Sequence, residues 1–176
     1  MFVDEVIVEL NAGRGGDGCM AFRREKYVPM GGPYGGNGGK GADIIFVADE
    51  GLKTLIDLRY QKIIKGDAGL NGEGKNKNGK NAQDKIIKVP LGTTIKDNKT
   101  GAIIADLVKN NDEVVVAYGG RGGRGNVSLA TRSNPCPSYA ERGEPGEIRV
   151  VKVELRMLAE VGLVGCQVWA KVQYYQ

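Results

Sequence analysis

The feature that most constrains this chain is the clustering of its glycines. Of 28 glycines in 176 residues, 23 fall in three runs, with 11 in residues 13–41, five in 66–79 and seven in 119–146. Such runs exclude a stable α-helix, because each glycine costs roughly 1 kcal/mol of helix propensity relative to alanine. They also exclude an ordinary packed strand, because glycine has no side chain to bury. We therefore predict extended, polyproline-II-like segments whose backbone groups are open to hydrogen bonding.

The remainder of the chain is typical of a β scaffold that presents these segments. Short runs rich in Val, Ile and Leu, separated by turn residues, predict strands over 2–10, 43–48, 85–91, 93–96, 102–108, 113–118 and 148–155. Residues 97–101 predict a hairpin turn. Residues 52–60 fit a short helix or a strand equally well. The predicted class is mainly β, a barrel or sandwich from which the glycine-rich segments project.

Charge is distributed unevenly between the glycine runs and the scaffold. The net charge is only +4, but residues 13–41, 65–81 and 119–146 together carry +7, and the remainder carries −3. A positive bias confined to glycine-rich loops indicates a polyanionic partner, without distinguishing DNA from RNA.

Composition excludes several kinds of chemistry. The chain has no histidine, so histidine-based triads and metal sites are excluded, and we predict no catalytic residues and no metal. Cys19, Cys136 and Cys166 show no metal-ligand spacing and are interpreted as free thiols in a reducing compartment. The acidic first ten residues do not resemble a signal peptide, and no apolar run is long enough to cross a membrane. We expect a soluble, cytoplasmic protein without a membrane partner.

The third glycine run predicts phosphate contacts. Residues 119–126 (GGRGGRGN) offer successive N–H groups together with two guanidinium groups, which can bind phosphate bidentately. Taken alone, a tight structural loop with two exposed arginines is an equally good interpretation. Repetition of the pattern favours contact with the phosphates of a nucleic acid, with candidate side chains Arg14, Arg23, Arg24, Lys26, Lys40, Lys75, Lys77, Lys80, Arg121 and Arg124. The candidate loop glycines are Gly35, Gly36, Gly38, Gly39, Gly79, Gly120, Gly122 and Gly123.

Long strings of the sequence resemble the Obg-type GTPases. They include residues 21–29 (AFRREKYVP), 31–33, 38–41, 119–126 and 143–147. The resemblance spans residues 1 to about 165 and implies the Obg fold, in which glycine-rich polyproline-II-like helices project from a β-barrel. It also implies a role in large-ribosomal-subunit assembly, with the glycine-rich loops contacting ribosomal RNA.

The C-terminus departs from that family. Gly165 and Lys171 match a nucleotide-binding P-loop, but Ala170 and Val172 replace its second glycine and its hydroxyl residue. We therefore expect an Obg-type domain over residues 1–157, and over 158–176 the remnant of a GTPase domain. A single lost base after the Cys166 codon would convert a family-like sequence into residues 167–175, so we hypothesise a frameshift. GTP and Mg²⁺ are implied for full-length relatives and no cofactor for this form.

Three functions remain open from the sequence. The first is a non-catalytic domain that binds ribosomal RNA of the large subunit. The second is a GTP-binding and GTP-hydrolysing protein, which is the activity of the family. The third is a purely structural protein-interaction domain. Apolar residues in the tail also predict possible self-association through residues 158–176.

Overall fold

A computed structural model describes residues 4–24, 26 and 31–156 of the chain. The described residues form eight strands and one short helix. In chain order these are β1 (Glu5–Asn11), β2 (Ile44–Ala48), α1 (Ile56–Tyr60), β3 (Ile63–Lys65), β4 (Lys85–Val89), β5 (Thr93–Asp97), β6 (Ile103–Leu107), β7 (Glu113–Ala117) and β8 (Ile148–Leu155).

The strands form two sheets that share one apolar core. The larger sheet has the order β3-β1-β8-β5-β6 and the smaller the order β4-β2-β7. Alternate residues of β1 and β2 point inward, as in β1, where Val6, Val8 and Leu10 are buried. They pack in one cluster with Phe46 of β2 and Leu58 of α1, among others. This core holds the two sheets together through side chains.

The glycine-rich runs build a second, very different unit, which we call the glycine block. It consists of residues 12–19, 35–43, 66–73, 78–84, 118–126 and 141–147, none of which is helix or strand. Its segments contact one another at every third residue. Gly13 donates its N–H to Ala42 O at 2.9 Å, and Gly16 donates to Gly39 O at 2.8 Å. Three residues per turn is the period of a polyproline-II helix, which makes no hydrogen bonds within itself.

Neighbouring segments approach so closely that only glycine fits between them. A Cβ atom added to Gly16 would lie 2.0 Å from Leu70 O, and one added to Gly38 would lie 2.0 Å from Gly16 O. Gly120 and Gly143 are equally confined by backbone atoms. Glycine in this unit is therefore selected by close backbone packing and not by a need for positive φ.

Side chains that accept the remaining backbone N–H groups of the block also recur at every third residue. Asn78 accepts the N–H of residue 37, Asn81 that of residue 40 and Asp84 that of residue 43, at 2.8, 2.8 and 3.0 Å. Short amide and carboxylate side chains on one segment thus satisfy N–H groups of the next segment that no carbonyl reaches.

The mainly β class and its projecting polyproline-II-like segments are confirmed, with two differences in detail. The strands over the described residues form two sheets and do not close into a barrel. The ambiguous residues 52–60 contain the helix α1, and the three-residue strand β3 is not predicted, because so short a run shows no alternation. The described residues end at residue 156, so the predicted domain boundary at 157/158 lies outside them. Gly165 and Lys171 also lie outside the described residues.

Candidate nucleic-acid interface

The topology gathers three loops at the end of the glycine block remote from the sheets. Three block segments directly follow a strand and three directly precede one, and the pairing register sets these six strand ends side by side. Asn11 lies opposite both Lys65 and Ile148, and Ile44 lies opposite both Lys85 and Ala117. The connections between block segments therefore occupy the opposite end. We call them the distal loops, residues 20–34, 74–77 and 127–140.

Asn126 links the first and third distal loops at the distal end of the glycine block. Its side chain is fully buried. Its Oδ1 accepts the N–H of Gly35 at 2.8 Å, and its Nδ2 donates to Ala21 O at 2.8 Å and to Pro137 O at 3.4 Å. Its backbone N–H donates to Cys19 O at 3.1 Å. One amide thus sets the start of two distal loops against each other.

The distal loops are strongly basic in composition. They contain Arg23, Arg24, Lys26, Lys75, Lys77 and Arg132, and only one acid, Glu25. Their net charge of +5 exceeds the +4 of the whole chain, so everything outside them is close to neutral. The side chains of Met20, Phe22 and Tyr139 are also exposed there, at 52%, 37% and 55%. Cations beside exposed aromatic rings can contact both the phosphates and the bases of RNA.

The loop at 74–77 presents its cations on a constrained turn. Lys75 and Asn76 have φ of 63° and 56°, the left-handed region that L-residues seldom occupy. The N–H of Glu73 donates to Lys77 O at 2.9 Å across the turn, and Asn76 N–H donates to Tyr34 O at 3.0 Å. These bonds hold the turn against the neighbouring distal loop, so the Lys75 side chain projects from a fixed backbone.

The predicted RNA-contact side chains divide into two groups. The structure brings Arg23, Arg24, Lys26, Lys75 and Lys77 together on the distal loops, and all five are exposed. The other five, Arg14, Lys40, Lys80, Arg121 and Arg124, lie along the sides of the glycine block.

Several cations along the sides of the block are matched by acids. Arg14 pairs with Asp17 at 2.7 Å, and Lys40 pairs with Asp43 at 2.6 Å. Arg124 makes two hydrogen bonds to Glu141, at 2.9 and 2.7 Å. Even on the distal loops, Lys77 lies 3.9 Å from Glu73, although both side chains are largely exposed.

The ion pair between Arg124 and Glu141 shifts the pKa of both side chains. The hydrogen bonds from Arg124 lower the pKa of Glu141, and those same bonds raise the pKa of Arg124. The pair lines an open cavity of about 560 Å³ with Arg121, Arg142 and Glu144. Three arginines against two glutamates leave this side of the block with a net charge of only +1, far less than the distal loops carry.

The predicted role of the loop glycines requires a correction. Seven of the eight donate their N–H groups inside the molecule: Gly35 to Asn126 Oδ1, Gly36 to Glu73 O, Gly38 to Gly123 O, Gly39 to Leu70 O, Gly79 to Asn37 O, Gly120 to Gly13 O and Gly123 to Gly16 O. The expectation that these groups are open to a phosphate is therefore wrong. The glycines allow the segments to pack, and these seven N–H groups are not available to a phosphate.

Two residues of the candidate interface were missed by sequence reasoning. Arg132 shares the third distal loop with Tyr139, in a part of that run that contains no glycine. Asn126 ends the GGRGGRGN string and was not assigned a role. The signal that could have found it is its position between two glycine-rich segments, where a short amide can satisfy backbone groups.

The described residues hold no cluster of three metal-ligating side chains. Most of the loop glycine N–H groups that might cradle phosphates already have internal partners. Over the same residues, the longest helix is α1, and none could span a membrane.

Comparison with known proteins shows the family. The GTP1/OBG family pattern matches residues 3–157. The GTPase Obg of Persephonella marina is 55% identical over 164 residues, which are 93% of this chain and 48% of that protein. The GTPases Obg of Anoxybacillus flavithermus and Bacillus cereus are each 58% identical over 165 residues, covering 94% of this chain and 39% of theirs. The chain thus spans less than half the length of these relatives, and it belongs to the GTP1/OBG family.

Proposed function

We propose that this chain binds ribosomal RNA of the large subunit through its distal loops and contributes to assembly of that subunit. The observation that carries the proposal is the collection of six exposed basic side chains on the distal loops. The large-subunit partner rests on the family resemblance. The charge and the exposed aromatic rings support RNA in general.

The glycine block acts in this proposal as a rigid spacer. Its segments are bonded to one another through their backbones, so the distal loops are held away from the sheets at a fixed mutual distance. Preorganisation of this kind lowers the entropy that binding must overcome. A backbone-bonded unit with cations on the loops at its far end suits contact with a large RNA.

The test is salt-dependent co-sedimentation with purified large ribosomal subunits. Removal of one phosphate contact should reduce the slope of log affinity against log salt by roughly 1. Arg24→Glu with Lys75→Glu should abolish co-sedimentation at moderate salt. The matched control is Lys99→Glu with Lys109→Glu, which reverses two exposed lysines outside the distal loops. Equal loss of binding in both double variants, or binding indifferent to salt, would contradict the proposal.

The sides of the block are expected to contribute less. Arg121→Glu with Arg124→Glu also reverses two charges, but Arg124 already faces Glu141. Its effect on co-sedimentation should lie between those of the two other double variants. A loss of binding equal to that of the distal variant would move the contact surface to the cavity lined by Arg121, Arg124 and Arg142.

We propose further that this chain does not bind or hydrolyse GTP. Ala170 and Val172 replace the P-loop residues that would curl round the phosphates and reach Mg²⁺. Titration with a fluorescent GTP analogue should show no saturation. Saturable binding would favour the GTPase alternative, and the relatives named GTPase Obg would then resemble this chain in activity as well as in sequence.

A further inference from the structure

A groove opens where the free edges of the two sheets approach each other. Over the described residues, β3 is an edge strand of the larger sheet and β4 an edge strand of the smaller one. The groove measures about 540 Å³ and is lined by Leu52, Leu58, Tyr60, Ile64, Ile86 and Lys88, among others. It lies on the β scaffold and shares no residue with the distal loops.

The outer edge of β4 presents backbone groups to a further strand. Lys85 donates its N–H to Asp43 O at 2.8 Å, and Asp49 donates to Val89 O at 2.8 Å. These two bonds show that the backbone N–H and C=O groups of residues 85, 87 and 89 face β2. In a parallel pair, the backbone groups of successive residues point alternately towards the partner strand and away from it. The N–H and C=O groups of Ile86 and Lys88 therefore face away from the sheet. They supply two donors and two acceptors at the spacing of a strand.

The floor of the groove is apolar and its lip is unusually exposed. Leu58, Ile64 and Ile87 are buried at its base, at 4%, 3% and 9% exposure. Ile86 and Tyr60 stand at the lip with 61% and 80% of their surface accessible. Edge strands are commonly protected by lysines, and β4 has two. The exposed isoleucine between these lysines does not contribute to that protection.

The surroundings of the groove are basic. Residues 52–65 and 85–88, which include the lining residues, contain Lys53, Arg59, Lys62, Lys65, Lys85 and Lys88 but only one acid, Asp57. Lys88 pairs at 2.9 Å with a further acid, Asp49, just outside these ranges. With Asp49 included, the net charge of this surface is +4, and it lies on a different part of the fold from the distal loops. An occupant must therefore combine negative charge with apolar side chains.

We infer that this groove binds an extended acidic segment of a partner protein, added as a strand to the edge of β4. In a strand, alternate side chains face opposite sides. A segment that alternates apolar and acidic residues would place one set on the floor and the other towards the lysines. RNA fits less well, because phosphates only accept hydrogen bonds, whereas the β4 edge offers donors and acceptors in alternation. The inference does not depend on ribosomal RNA binding.

The probe is a blocked octapeptide of alternating Val and Glu, titrated into the full chain and followed by amide chemical shifts. We expect shifts at Ile86 and Lys88 and half-saturation below about 1 mM. A blocked octapeptide of alternating Val and Lys should not bind, because its charge is opposite. Failure of the acidic peptide to bind, or equal binding of the basic one, would overturn the inference.

Two variants distinguish the groove from exposed apolar surface in general. Ile86→Glu should weaken binding of the acidic peptide at least about tenfold, because it adds a like charge at the lip. Ile103→Glu is the matched control, because Ile103 lies on β6, an edge strand of the larger sheet remote from the groove. Its side chain is 60% exposed, against 61% for Ile86. The control variant should leave affinity unchanged. Lys88→Glu serves as a second groove variant. Equal loss of peptide affinity in the groove variants and in Ile103→Glu would contradict a specific site.

Other occupants give distinguishable results. If the β4 amides shift with protein concentration alone, the groove binds a second copy of the chain and the inference fails. If a single-stranded RNA oligonucleotide shifts them and the acidic peptide does not, the site belongs to RNA and the inference fails. Loss of ribosomal co-sedimentation in the distal-loop variants, with peptide binding intact, would show that the two surfaces act separately.

Discussion

The two units of the molecule are packed by opposite means. In the β scaffold, side chains such as Phe46 and Ile95 fill the space between two sheets. In the glycine block, the backbones themselves touch, and side chains point outward or complete hydrogen bonds at the rim. A side-chain core can absorb small changes in volume by shifting rotamers. A core made of backbone has no such freedom, so its tolerance must depend almost entirely on keeping side chains out.

The sharpest test of this difference is the addition of one carbon atom inside the block. Gly16→Ala would place a Cβ atom 2.0 Å from Leu70 O, which is far inside van der Waals contact. Relief requires two segments to separate and break the bonds between them, so we expect a decrease of about 4 kcal/mol or more in unfolding free energy. Chemical denaturation monitored by circular dichroism would measure it.

The control for that substitution lies in the same glycine-rich sequence. A Cβ atom added to Gly32 would meet nothing within 4 Å. Gly32→Ala should therefore change stability by less than about 0.5 kcal/mol. If both variants are equally stable, the block is held by something other than close backbone packing.

The second-largest effect is expected at Asn126, where one side chain satisfies several backbone groups. Asn126→Ala would leave the N–H of Gly35 without its partner in a buried site, whereas Ala21 O would keep the bond that it accepts from the N–H of Tyr34 at 2.7 Å. An unsatisfied buried group costs about 1–3 kcal/mol, so a decrease in stability of about 2 kcal/mol is expected. Hydrogen exchange should locate the loosening at the distal end of the block.

The matched control is Asn71, whose Oδ1 accepts a single N–H bond from Asp17 at an exposed position. Asn71→Ala should cost no more than about 1 kcal/mol, because water can replace the missing acceptor. A comparable decrease in the two variants would mean that burial of Asn126 is not what makes it important.

Much of the β scaffold is predictable, because its strands alternate in hydrophobicity. The pattern predicts β8 over the same residues that the structure shows, Ile148–Leu155, and the Asp, Asn and Gly residues of 97–101 predict the observed turn. Strand β3 escapes prediction because its pairing with β1 depends on contacts remote in sequence. Local pattern does not encode such pairing when only three residues take part.

The extended conformation of the glycine block is predictable from the sequence, but the prediction of open backbone N–H groups is wrong. Glycine density correctly indicates extended segments, but density alone led to the conclusion that their N–H groups are open. The spacing of three between Gly13 and Gly16, or between Asn78 and Asn81, carries the missing information. A residue that recurs at the period of a polyproline-II helix always faces the same neighbour. The basic residues of the distal loops can be named from sequence, but their convergence follows only from the strand order.

Removal of one methyl group from the β scaffold should have a smaller effect than adding one carbon to the block. Ile95 is fully buried between the sheets. Ile95→Val should cost about 1 kcal/mol, the usual range for a single buried methyl group. Chemical denaturation of this variant alongside Gly16→Ala would compare the two kinds of core directly. A larger decrease in stability for Ile95→Val would reverse the expected ranking of the two cores.

The smallest effect is expected from an ion-pair cluster on the outside of the larger sheet, and it should depend on pH. Glu154 of β8 accepts hydrogen bonds from Lys96 and Lys152, which lower its pKa below the ordinary value of 4.5. A carboxyl whose pKa is lower in the folded state stabilises the fold above its unfolded pKa and loses that contribution as the pH falls through the folded pKa.

Glu154→Gln should therefore reduce stability by a constant amount above about pH 5, and the difference from the unsubstituted chain should shrink as the pH falls further. Denaturation midpoints measured from about pH 7 to about pH 3 would show this convergence. A difference that stays constant over that whole range would mean that the substitution acts through packing against β5 and not through charge. Because these side chains are partly exposed, added salt should weaken the effect, whereas it should leave the destabilisation by Gly16→Ala unchanged.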